Sequence, residues 1–227
     1  MLFLAVTLGF FVENQREHFI EHQREKKYIR SMIEDLKTDT SSFRLAMETN
    51  IKSCNELDTL IRLLKRKDRK LLAKRIYYLA RFIPFEDPYL NCQDKTYEQM
   101  KSSGSFRLIR DEKVLNRIST YYQINTYIES GPTPMQFQNR RDFMLGVDQL
   151  FDIAVFQEMV REWGLRNEMI PEDRFVLLSD DEKLINSVCA RYHFMYSTKK
   201  IVFGAARNFI GQANELMKHL QTEYNID

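Results

Sequence analysis

Twelve uncharged residues, MLFLAVTLGFFV, lead without interruption into a charged helical pattern running from Glu13 to about Arg66, and this junction restricts the chain more than any other stretch. At ~1.5 Å per residue, a helix of that apolar length covers roughly 18 Å, short of the ~30 Å hydrocarbon core of a bilayer. Three structures accommodate such a run: the exit half of a membrane helix that begins upstream of Met1, a signal peptide, or a core segment burying Leu2, Leu4, Leu8 and Phe11. A signal peptide calls for a basic leader and small residues at a cleavage site, whereas this run ends in Phe10, Phe11 and then Glu13. The abrupt change to Glu13, Asn14, Gln15, Arg16 and Glu17 favours a helix passing from lipid into water. Residues 1–12 are therefore read as the C-terminal half of a transmembrane helix, and residues 13–227 as one helical soluble domain whose first turns form a stalk.

From Tyr28 onward, Ile29, Ile33, Leu36, Phe43, Met47, Cys54, Leu57, Ile61 and Leu64 keep mostly three- and four-residue spacing. Such a seam packs helices in coiled-coil fashion. Thr40 and Asn50 interrupt it, which favours a long helix within an antiparallel bundle over a simple zipper. With only 7 Gly and 5 Pro in 227 residues, long segments run without turn signals. A 44% hydrophobic and 29% charged composition suits one sizeable core.

A basic run, Lys65 to Arg75, is interrupted by Asp68, which is expected to cap a second helix ending near Phe82, its buried stripe being Leu71, Leu72, Ile76 and Leu79. Basic runs at helix ends face solvent more often than they bind phosphate or lipid headgroups. Pro84 and Pro88 end this helix, and PFEDPYLNCQ reads as a loop. Asp94 starts a short helix that stops at Gly104, and Asp111 caps another to about Ile128 with Val114, Leu115, Ile118, Tyr121, Tyr122 and Ile124 inward. After the break at Gly131, Pro132 and Pro134, one amphipathic helix is expected from Met135 to Trp163, burying Phe143, Val147, Leu150, Phe151, Ala154, Val155 and Met159. Phe175 to Leu178 is to be buried in the following connection, where a short strand is an open alternative. Ser179 and Glu182 form a capping box for a last helix reaching Tyr224. The fold class expected is all-α: an antiparallel bundle of about five or six helices, two of them long (about 13–66 and 180–224).

A net charge of +2, from 34 basic and 32 acidic residues, supplies no bulk attraction to nucleic acid. Cys54, Cys92 and Cys189 are widely spaced and odd in number, so buried free thiols are expected, a Cys92–Cys189 bridge being the alternative.

The stretch Thr96 to Tyr122, TYEQMKSSGSFRLIRDEKVLNRISTYY, together with the entry Phe3 to Asp39, resembles a family of uncharacterised bacterial single-pass membrane proteins. Its "Leu-Lys-x-Asp" segment corresponds here to Leu36, Lys37 and Asp39, and its "Lys-Ser-Ser-Gly" turn to Lys101, Ser102, Ser103 and Gly104. The resemblance implies a basic leader and the rest of a membrane helix upstream of Met1, and a soluble part on the periplasmic side. It implies no activity.

One catalytic pattern occurs. His18, Glu21 and His22 spell H-x-x-E-H, in which two histidines on one helix face bind zinc beside a general-base glutamate, and Glu98 is a conceivable third ligand. The pattern sits in a charged turn with nothing around it to enclose a metal-bound water, and His and Glu fall at these spacings readily in polar helices. No catalytic, cofactor-binding or metal residue is assigned. The expected function is that of a membrane-anchored helical interaction, sensor or scaffold domain, attached through its N-terminus, with a protein partner or a second copy contacting the Ile33, Leu36, Phe43 and Met47 seam. The alternatives are the zinc peptidase and a soluble helical-bundle binding protein.

Overall fold

The heptad-like seam of the first third folds as a single helix, and a second one closes the chain. A computed structural model describes residues 2–83, 88, 90–161, 164–165 and 170–226. The chain is all-α: α1 (Leu2–Leu64), α2 (Ala73–Phe82), α3 (Lys95–Ser102), α4 (Glu112–Ser130), α5 (Pro132–Leu150), α6 (Ile153–Met159) and α7 (Glu182–Tyr224). The only strand ladder among the described residues is a two-residue antiparallel pair, Val160–Arg161 with Gly164–Leu165. Contacts divide the chain into two compact units.

Unit 1 takes Met1–Phe43, Asn91–Thr126 and Asn208–Asp227. Ile29, Ile33, Leu36 and Phe43 of α1 are buried here, as are Val114, Ile118 and Tyr121 of α4 and Phe209, Ala213, Leu216 and Leu220 of α7. Each fully buried large apolar side chain contributes about 1.5–3 kcal/mol. Phe43 meets Phe209 at 5.6 Å between ring centres, and Tyr224 Oη donates to Glu25 at 2.6 Å, so α1 and α7 run antiparallel within this unit.

Unit 2 takes Arg44–Leu90 and Tyr127–Arg207. Its core gathers Leu57, Leu60 and Leu64 of α1, Ile76 and Tyr77 of α2, Phe143 and Leu150 of α5, and Val188 and Tyr192 of α7. Asn50, in the α1 seam, donates its amide N–H to the Ala46 carbonyl at 2.8 Å, while its buried amide oxygen has no partner among the described residues.

Local signals fix most helix ends. Gly131 separates α4 from α5, and Pro132 opens α5, a position where its missing N–H costs nothing. Gly104 takes the left-handed conformation, φ 66°, just after α3. Asp111 caps α4 by accepting from Lys113 N–H at 2.7 Å.

Several expectations are corrected. Among the described residues no helix is long and apolar enough to cross a membrane, which overturns the single-pass membrane reading and the periplasmic placement built on it. A span of ~20 residues begun at Leu2 must take in Glu13, Arg16 and Glu17, and charges are disfavoured in hydrocarbon. The core alternative for this run fails as well where it can be read, since Leu8 and Phe11 are exposed; the side chains of Leu2 and Leu4 lie outside the described set.

The single helix expected from Met135 breaks at Phe151, whose backbone is extended, and Asp152 caps α6 by accepting from Ala154 N–H at 2.9 Å. The break lets Leu150 C=O accept from Leu178 N–H at 3.0 Å and pairs Phe151 with Leu177. It also shifts the helical phase, so Ala154 is exposed; Trp163, the expected end, lies outside the described residues. Asp68 caps nothing. Its carboxylate binds Arg66 at 2.7 and 2.6 Å, and a 3-10 turn, Arg69–Leu72, precedes α2 and leaves Leu71 86% exposed. Of Phe175 to Leu178 only Phe175 and Leu177 are buried. The cap of α7 is Asp181, which accepts from Lys183 N–H at 3.1 Å, while Ser179 accepts from Asp181 N–H. Pro84 and, in the loop after it, residues 85–87 and 89 lie outside the described residues.

Candidate functional site

The H-x-x-E-H residues share one exposed face of α1, as their three- and four-residue spacing requires. Each is already engaged in unit 1. His18 Nδ1 lies 2.6 Å from a guanidinium nitrogen of Arg110, which also approaches Glu21 at 3.4 Å. His22 Nδ1 lies 3.2 Å from Glu25, a buried carboxylate whose other oxygen accepts from Tyr224. Glu98 pairs instead with Lys101 at 3.2 Å. Among the described residues no three His, Cys, Asp or Glu side chains are grouped so as to hold a metal ion. An arginine seated on a ligating nitrogen opposes a second cation there by simple charge repulsion.

The neighbouring wall of α1 lines a cleft of about 420 Å³. Arg24, Lys27, Tyr28 and Ser31 project into it at steps of three, one and three residues, one helical stripe. The facing wall is the turn after α3, with Ser103, Ser105 and Arg107. Gly104, the left-handed residue between the two serines, sets that turn, and the serine hydroxyls lie 2.7 Å apart. Ser105 Oγ reaches Tyr28 Oη at 3.5 Å. The Ser105 and Ser103 hydroxyls hold the Tyr28 phenol below its ordinary range, and the charges of Arg24 and Lys27 act in the same direction.

A second polar cluster lies in the interior of the same unit. Asp39, fully buried on α1, accepts from Tyr121 Oη at 2.6 Å, from Gln93 N–H at 2.7 Å and from the Cys92 thiol at 3.1 Å. Asp35, one turn earlier, accepts from Thr96 N–H at 3.2 Å. Burial raises the Asp39 pKa, against the lowering effect of these donors. Burial, together with the Asp39 charge, also pushes the Cys92 thiol and the Tyr121 phenol up, so both stay protonated donors. This arrangement is turned inward and holds the loop before α3 against α1. Sequence reasoning singled out Leu36, Lys37 and Asp39 without finding this partner set, because Tyr121 stands 82 residues away.

Four cations of the basic run, Arg66, Arg69, Lys70 and Lys74, are paired rather than open. In unit 2, Arg69 is buried and bonds Glu182 at 3.0 Å, Lys70 binds Asp180 at 2.5 Å, and Lys74 approaches Glu172 at 3.5 Å. Cys54, Cys92 and Cys189 are buried free thiols, each raised in pKa chiefly by burial and so poor nucleophiles.

Unit 2 holds an apolar cleft of about 330 Å³ beside Phe143, Val147 and Phe156. Arg81 stands at its edge, its guanidinium 6.0 Å from the Phe156 ring centre. No family model matches this sequence, and none of the curated proteins or solved structures compared with it is significantly similar.

Proposed function

We propose that the chain is a non-catalytic helical interaction domain whose contact element is the exposed apolar start of α1, and that a second copy of the chain is its occupant. One observation carries this reading: Leu8, Phe11, Val12 and Phe19 are 67%, 60%, 59% and 65% exposed. At 100° per residue these four fall on one side of α1, with Gln15 between them. Single exposed apolar residues are ordinary, but several gathered on one helix face mark a contact surface.

The stripe is self-complementary. An antiparallel pair of copies sets Leu8 of each against Phe19 of the other, the isologous arrangement that a two-fold axis requires. Large aromatic side chains present about 150–250 Å² each. At the exposures seen, the stripe offers on the order of 450 Å² per copy, so a pair buries about 900 Å², the size of a weak and reversible interface. The seam first considered for self-association serves elsewhere, since Ile33, Leu36 and Phe43 are buried in the chain's own core.

Sedimentation of the full chain over a concentration series tests this. A monomer–dimer equilibrium is expected, shifted to monomer by the double substitution Phe11→Asp and Phe19→Asp with the helical circular dichroism retained. A chain that stays monomeric at every concentration rejects the second copy as occupant. Against the peptidase reading stand the contacts of Arg110 with His18 and of Lys101 with Glu98. Stoichiometric zinc binding abolished by His22→Ala would overturn the non-catalytic part.

A further inference from the structure

We propose that the cleft between the Arg24–Ser31 stripe of α1 and the Ser103–Arg107 turn binds a phosphate group, either free or as the monoester of a small polar molecule. The first argument is charge. Arg24, Lys27 and Arg107 line the cleft, and none of them has an ion-pair partner among the described residues. Glu21 is the sole carboxylate in the lining, and it approaches Arg110 at 3.4 Å. Arg16 is paired with Glu13 and Lys37 with Glu34, while Arg30, Lys113 and Arg117 also lack an ion pair among the described residues, so what marks this cleft is that three such cations share it. Three like charges gathered on two facing walls repel one another, and an anion between them reverses the sign of that energy.

The second argument is donor geometry. Two guanidinium forks suit the paired oxygens of a tetrahedral oxyanion, and the lysine adds a point charge. Hydroxyls of Tyr28, Ser31 and Ser105 stand among them as neutral donors, while Ser103 Oγ already donates to the Gln99 carbonyl at 2.7 Å. A carboxylate offers two oxygens and a single charge to these three cations, whereas a phosphate dianion offers more of both. The tight turn at Gly104 aligns the two serines on one side, so this wall is formed before any ligand arrives.

The third argument is size and polarity. A cleft of about 420 Å³ is larger than a bare phosphate needs, and its space continues past the cations. Leu108 is the only aliphatic lining residue, so the body of an ester ligand has to be polar. This reading is independent of self-association through residues 8–19, and the two can fail separately.

Nuclear magnetic resonance titration of the full chain with inorganic phosphate, glycerol 3-phosphate and glycerol, at constant ionic strength, tests the site. Saturable shifts at Arg24, Tyr28 and Ser105 are expected with both phosphate probes and none with glycerol. Arg107→Gln and Arg24→Gln should each weaken binding about tenfold, the scale of one lost charge-assisted hydrogen bond. Lys101→Gln, removing a cation that pairs with Glu98 outside the cleft, should leave it unchanged. Tighter binding of glycerol 3-phosphate than of phosphate assigns the site to an ester, and equal binding assigns it to the free ion. Absence of saturable shifts with both probes overturns the proposal, as does undiminished binding by folded Arg107→Gln protein. Arg24 and Arg107 are exposed, so both variants should fold, and Tyr28→Phe provides a third variant that removes a donor while keeping the ring.

Discussion

Each unit is tied together by one buried tyrosine, and the two tyrosines do it with different chemistry. In unit 1 the Tyr121 hydroxyl donates to the Asp39 carboxylate, which also takes Gln93 N–H and the Cys92 thiol, so α1, α4 and the loop before α3 converge on a group able to carry charge. In unit 2 the Tyr77 hydroxyl accepts from Asp152 N–H at 2.8 Å and donates to the Val176 carbonyl at 2.6 Å, while its ring takes the edges of Phe151, Phe156 and Phe175. Here α2, the α5–α6 break and the segment before α7 converge on a neutral group. Both arrangements satisfy backbone groups that irregular segments leave over. The difference teaches that one is secured by packing and is indifferent to pH, whereas the other is secured by a carboxylate held against its preference for water.

The contrast is sharpest under truncation. Tyr77→Ala removes a ring in contact with three others as well as the hydroxyl bridge, and should destabilise the chain by about 3–5 kcal/mol in urea unfolding. Tyr77→Phe isolates the polar share of that loss, and leaving Asp152 N–H and Val176 C=O unpaired should cost about 2 kcal/mol. A cost near zero for Tyr77→Phe would mean that unit 2 is held by its rings alone. Asp39→Ala comes next at about 2–3 kcal/mol, because Gln93 N–H and Tyr121 Oη both lose their acceptor in a buried place. Unfolding of unit 1 at lower urea than unit 2, followed by fluorescence and by circular dichroism, would separate the two effects.

The long helices were readable because a seam of period near 3.5 repeats many times, and every turn of Ile29 to Leu64 or of Val188 to Leu220 adds to the same signal. Short-range chemistry was readable at Gly104 and Asp111, where one residue sets a turn or a cap. It misled at Phe151, whose side chain keeps the apolar period of α5 while its backbone leaves the helix; the Asp152 cap was the available sign of the break. It misled at Asp68 too, where an adjacent arginine outcompetes the backbone for the carboxylate. The apolar start of α1 reads as a membrane segment by composition, but a span begun at Leu2 takes in Glu13, Arg16 and Glu17. The two tyrosine hubs were not readable, since Tyr77 meets Val176 across 99 residues of chain and nothing local distinguishes either tyrosine from its neighbours. The cleft was half readable: the Arg24 to Ser31 stripe is a local pattern, whereas Arg107 joins it through the fold.

The smallest effect expected is also the most direct test of the comparison, because it asks whether charge or hydrogen bonding decides the state of Asp39. Burial, and to a lesser degree the neighbouring Asp35 charge, raise its pKa from the ordinary 3.8, and the donors Tyr121, Gln93 N–H and Cys92 lower it, with burial prevailing. A carboxyl whose pKa is higher in the folded than in the unfolded chain contributes its full stability below the ordinary value and loses it as the pH rises through the folded one. The stability of the native chain relative to Asp39→Asn should therefore fall as the pH rises from about 3.8 through the raised folded pKa. Pairing the measurements cancels other titrating groups, and the same difference taken for Tyr77→Phe should stay flat over this range, because burial pushes the Tyr77 phenol above its ordinary 10.0. A native advantage that grows with pH would show that three donors outweigh burial, making the unit 1 hub a favourable anion site for its own aspartate. The two hubs would then still differ in charge, but the unit 1 carboxylate would be stabilised by its donors rather than held against its preference for water.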